Sequence, residues 1–92
     1  VLINLNVNGC TDLTKLECEY NQLTSLNVSG LKALTYLDCN TNKLSSLDVS
    51  GLTTLETLDC VFNPLSCIQV DDITAATENY YWSKKVIGQI TR

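Results

Sequence analysis

Histidine and methionine are absent from the 92 residues, proline and tryptophan occur once each, and lysine and arginine together number six. Without histidine no Ser-His or Cys-His nucleophile pair can form, and the commonest metal-binding side chain is missing. No C-x-x-C pair and no glycine-rich phosphate loop is present, so the chain reads as a non-enzyme with no cofactor and no metal. The six basic residues form no patch, and with a formal charge of -4 and a pI near 4.4 they exclude nucleic acid as a partner. They also exclude a basic helix lying on a membrane surface. No apolar run reaches the roughly 18 residues that a bilayer-spanning helix needs, so no membrane insertion is expected.

What is present is repetition. The stretch Leu34-Thr35-Tyr36-Leu37-Asp38-Cys39-Asn40-Thr41-Asn42-Lys43-Leu44 fits L-x-x-L-x-C-x-x-N-x-L and returns at an interval of 21 on both sides. Upstream stand Leu13, Leu16, Cys18, Asn21 and Leu23; downstream stand Leu55, Leu58, Cys60, Asn63 and Leu65. A period of roughly 20 to 29 with this pattern belongs to stacked repeats, each of which buries its apolar face against the next. The triplets Leu16-Glu17-Cys18, Leu37-Asp38-Cys39 and Leu58-Asp59-Cys60 alternate as half-buried strands do, which predicts Leu and Cys inward and the acid outward. Each triplet precedes an asparagine, Asn21, Asn42 or Asn63, whose amide can satisfy the backbone groups of a buried turn.

The second half of each repeat reads Leu23-x-x-Leu26-x-Val28, Leu44-x-x-Leu47-x-Val49 and Leu65-x-x-Ile68-x-Val70. Twenty-one residues leave little room for a helix, so these convex segments are expected to be extended, irregular or 3-10. Gly9, Gly30 and Gly51 follow, where a positive φ is expected. Residues 2 to 9 are a second half without its strand half, and the chain opens at Val1 in mid-pattern, so it is expected to be a piece of a longer array. From Asp71 the pattern decays: Ala76, Asn79 and Tyr81 stand in register with Leu55, Leu58 and Cys60, and Lys84 replaces the asparagine. The division is therefore residues 1–70 as repeats, the first partial, and residues 71–92 as a degenerate capping coil shielded by Tyr80, Tyr81 and Trp82.

Together these residues resemble the leucine-rich repeat family. The narrower combination of Leu37, Cys39, Asn42, Leu44, Leu47, Asp48, Val49 and Ser50, with Cys67 to Asp72 and Asn79 to Trp82, is similar to cysteine-bearing repeats of secreted or surface proteins of Bacteroidetes. The resemblance implies a leucine-rich repeat solenoid with a short parallel sheet on its concave face. It implies non-catalytic binding of a protein or glycan, in a secreted or cell-surface bacterial setting. A structural spacer and an accessory domain of an enzyme lying outside these residues are the competing readings. In the resembled caps a cysteine placed like Cys67 pairs with one downstream; here none follows, so Cys67 is free or its partner lies beyond Arg92.

Cys18, Cys39 and Cys60 take inward positions where free cysteine acts as a small apolar residue, and Cys10, in register with Leu31 and Leu52, is expected to do the same. Binding is expected on the outward strand face: Glu17, Glu19 and Tyr20 in one coil, Tyr36, Asp38 and Asn40 in the next, then Asp59, Val61 and Phe62, with Tyr80 and Trp82 extending it. Aromatic rings beside acids make an interaction surface, in which ring burial supplies most of the energy; the alternative is a solvated face. Glu17, Asp38 and Asp59 form a row of like charges that a weak Ca²⁺ ion or, preferably, screening by water would relieve. The uncapped N-terminal end offers a strand edge for self-association.

Overall fold

The structure, a computed structural model, describes residues 1–71 and the strands Tyr80–Tyr81 and Ile90–Thr91. Its strands in chain order are β1 (Lys15–Glu17), β2 (Tyr36–Asp38), β3 (Ser46–Asp48), β4 (Thr57–Asp59), β5 (Cys67–Gln69), β6 (Tyr80–Tyr81) and β7 (Ile90–Thr91). They form two parallel sheets, one ordered β1-β2-β4-β6 and the other β3-β5-β7. Lys15 pairs with Tyr36 and Tyr36 with Thr57, so the 21-residue period of the sequence is the register of the first sheet. Short strands suffice because each is held by its neighbours one repeat away.

The apolar rows of the pattern become rows of the core. Leu23, Leu44 and Leu65 are buried, as are Val28, Val49 and Val70, and Leu26, Leu47 and Ile68, all in one cluster with Leu37, Leu58, Cys39 and Cys60. Leu5, Leu13, Leu16 and Leu55 pack against that cluster partly buried. At the end of each return half the chain turns through glycine, with φ of 84° at Gly9, 85° at Gly30 and 79° at Gly51. A side chain at Gly51 would be strained by this φ, and its Cβ would also lie 3.1 Å from Lys32 Nζ.

Several expectations are corrected. The first-sheet strands begin and end one residue before the Leu-acid-Cys triplets. The convex return is neither irregular nor 3-10 where β3, β5 and β7 lie: it is a second parallel sheet, and no helix occurs among the described residues. The pattern Ser-Leu-Asp of β3 alternates in burial as a strand should, exposed-buried-exposed. Cys10 is exposed, whereas Leu31 and Leu52 in the same row are buried; those two are flanked by a coil on each side and Cys10 by one.

At the C-terminal end Tyr80 pairs with Leu58 and Tyr81 with Asp59, a step of 22 places rather than 21. Tyr80 therefore stands in the row of Leu16, Leu37 and Leu58, and Tyr81 in the row of the acids. The one-residue shift displaces the alignment expected for Asn79 and Tyr81. Ile90 pairs with Ile68 at the same step of 22. The expected roles of Trp82, Ala76 and Lys84, and of the side chains of Tyr80 and Tyr81, lie outside the described residues.

Candidate functional site

After each first-sheet strand the backbone enters the left-handed region at a residue other than glycine: Tyr20 at φ 58°, Thr41 at 56° and Phe62 at 58°. Such a conformation is costly for bulky or β-branched side chains and persists where surrounding bonds hold it. Here the Tyr20 amide donates to Asn40 O (3.0 Å), the Asn21 amide to Thr41 O (3.2 Å) and the Thr41 amide to Val61 O (3.0 Å). The turn sends the next residue, the ladder asparagine, inward.

Asn42 shows what that residue does. Its Oδ1 accepts from the Leu23 amide (3.0 Å), and its Nδ2 donates to Cys18 O (3.1 Å), Cys39 O (3.0 Å) and Asn40 O (3.3 Å). Asn63 repeats the arrangement with Leu44, Cys39, Cys60 and Val61. Asn21 accepts from Leu2 and donates to Cys18 O and Glu19 O. The predicted ladder is thus present in all three repeats, and each buried amide bonds across two coils.

The left-handed turn also decides which side chains face water. Tyr20 is 72% and Phe62 76% exposed, one coil to either side of half-buried Thr41. Strand neighbours lie about 4.8 Å apart, so two coils separate these rings by roughly 10 Å. Between them Tyr36, Asn40, Asp59 and Val61 are half-buried, and Glu17 and Lys15 are exposed. Lys15 pairs with Glu17 Oε1 at 3.1 Å and lies 4.8 Å from the Tyr36 ring centroid; its hydrogen bond to Glu17, then the charge of Glu17, raises its pKa above the usual lysine value.

One member of the expected face departs from it: Asp38 is 7% exposed. Its Oδ1 accepts from the Asn40 amide (3.1 Å) and from Asn40 Nδ2 (2.7 Å), and the same Nδ2 reaches Asp59 Oδ2 at 3.4 Å. An amide therefore bridges two acids of the row, a local answer to their repulsion that the sequence reading assigned to water or Ca²⁺. Among the described residues no group of three or more potential metal-binding side chains converges. Glu19, half-buried, stands beside Tyr20.

The cysteines do not form a reactive site. All five are free. Burial pushes the Cys18 thiol up to about 11 and the Cys60 thiol up to about 12, and pushes Cys39 further in the same direction, which suppresses the reactive thiolate. On the second sheet, a depression of about 320 Å³ separates Ser25 and Asn27 from Ser46 and Asp48, where the first coil does not pair with β3.

Sequence reasoning missed the left-handed row. Its residues, Tyr20, Thr41 and Phe62, share no side-chain type, and none is the glycine or asparagine that marks such a turn. Their common position immediately before the ladder asparagine is the signal that would have found them.

No curated protein and no solved structure matches this chain. No helix among the described residues is long and apolar enough to cross a membrane. Residues 11–53, which contain β1, β2, β3 and two of the three ladder asparagines, match the family model described as leucine rich repeats (2 copies), and that match supports a leucine-rich repeat family for this chain.

Proposed function

We propose that the chain is a short leucine-rich repeat solenoid that binds a protein partner through the face formed by β1, β2 and β4 and the turns that follow them. Leucine-rich repeats generally mediate protein binding. The observation that carries the reading here is the outward placement of Tyr20 and Phe62 by a left-handed turn repeated at every coil. Large rings held rigid in water bury area on contact at little entropic cost, which is why such residues dominate interfaces. Glu17, Glu19 and Asp59 beside them set the sign of the partner surface they would accept, favouring basic groups. A glycan stacked on the same rings is the finer alternative. The secreted or cell-surface bacterial setting rests on the resemblance to Bacteroidetes repeats.

The test is a binding screen of the chain against extracellular proteins and glycans, run beside a Tyr20→Ala/Phe62→Ala double variant. Both residues are exposed and their removal leaves the core intact, so the variant is expected to fold and to lose at least about tenfold in affinity. Equal binding by the variant would move the site elsewhere, and no binding by either would favour a spacer that displays another domain.

A further inference from the structure

The turn at residues 7 to 10 repeats, with one chemical difference, the turns around Gly30 and Gly51. In those, a serine precedes the glycine and its hydroxyl donates back, Ser29 Oγ to Asn27 Oδ1 (2.7 Å) and Ser50 Oγ to Asp48 Oδ1 (2.5 Å). In the first coil the residue before glycine is Asn8. Its backbone amide donates to Asn6 Oδ1 (2.9 Å) as its counterparts do, but its side-chain amide has no hydrogen-bond partner among the described residues and is exposed. Gly9 follows it at φ 84°, and a Cβ built there would meet nothing within 4 Å. The Gly9 amide also has no partner among the described residues, whereas the Gly51 amide is held by Asp71 Oδ2 at 2.7 Å.

We propose that Asn8–Gly9 is a spontaneous modification site at which the native turn converts asparagine to an acidic residue. The deprotonated Gly9 nitrogen attacks Asn8 Cγ, a C–N bond forms, and the side-chain nitrogen leaves as ammonia, giving a five-membered imide. Water then opens the imide at either carbonyl, yielding aspartate or isoaspartate. No oxidant, enzyme or cofactor enters, and the only co-reactant is water.

The other asparagines are protected by what they do. Asn21, Asn42 and Asn63 are bonded in the ladder, Asn63 also precedes Pro64, which has no N–H to attack with, and Asn40 is held by two carboxylates. Asn6 and Asn27 precede valine, and Asn4 precedes leucine; side chains there crowd the attacking nitrogen, as hydrogen does not at Gly9.

The product changes the turn. Formal charge falls from -4 to -5. The isoaspartyl form adds a methylene to the backbone between Val7, which is buried, and Cys10, whose amide donates to Val7 O at 3.1 Å, so the bond closing this turn is lost. The folded chain would be aged at mildly alkaline and mildly acidic pH in heavy-oxygen water, digested with trypsin, and its Val1–Lys15 peptide weighed and sequenced. The expected result is deamidation at Asn8 ahead of every other asparagine, with solvent oxygen incorporated and faster conversion at the alkaline pH. The Asn8→Ser variant, which copies the sister turns, should be silent. Conversion of another asparagine first, an intact Asn8, or conversion only in denaturant would overturn the proposal.

Discussion

Asn42 satisfies three backbone carbonyls and one backbone amide drawn from two coils, and its replacement by alanine leaves buried donors and acceptors unpaired. Each such group costs about 1–3 kcal/mol, so Asn42→Ala should destabilise by roughly 3 kcal/mol in denaturant melts. Asn21, half-buried and bonded to carbonyls of its own coil alone, should cost visibly less; equal losses would contradict a role that depends on burial. The thiols give a second test with a defined sign. Folding raises Cys18 from the ordinary 9.0 to about 11 and Cys60 to about 12, so the native state keeps protons that the unfolded chain releases. Their contribution to stability is whole below pH 9.0 and is lost as pH rises through the folded values. Melts followed upward from neutral pH should therefore fall in midpoint above that point, and a Cys18→Ala/Cys60→Ala variant should show a shallower decline.

At the scale of elements, the second sheet carries a cost that an irregular convex surface would not. Leu47 in β3 is as fully enclosed as Leu37 in β2, at 3% and 0% exposure, so Leu47→Ala and Leu37→Ala should each destabilise by about 2–5 kcal/mol. A loss below 1 kcal/mol for Leu47→Ala, within the range of surface substitutions, would mean the return half is not packed as a sheet. The first sheet was legible from sequence because Leu-x-Cys alternation and a 21-residue period fix both the inward face and the register. The second was only half legible. Ser25-Leu26-Asn27 and Ser46-Leu47-Asp48 carry the same pattern, yet only the latter is a strand, because pairing depends on the neighbour and not on the triplet. Of the candidate face, the outward aromatics could be read from the pattern. The burial of Asp38 could not, because it follows from Asn40 folding back onto it, a local bond that no periodicity announces. The exposure of Cys10 was hidden for a similar reason: its row is apolar, but burial requires a coil on both sides.

For the whole molecule, function and fold share one premise, that every 21-residue unit contributes the same rung to the core and the same row to the outward face. Interfaces between neighbouring units then supply stability in increments, so the chain should lengthen without being redesigned. Tyr20 and Phe62 lie in equivalent places two units apart, and a face built this way would extend with each unit added. The most direct measurement inserts a second copy of residues 32–52 after position 52 and compares its melting midpoint with that of the parent and of an insert shortened by one residue. Stacked units predict a cooperative transition at a higher midpoint for the full insert, and a lower midpoint for the shortened one, whose register is broken. A full insert that melts below the parent, or no difference between the two inserts, would contradict the stacking on which the binding face depends.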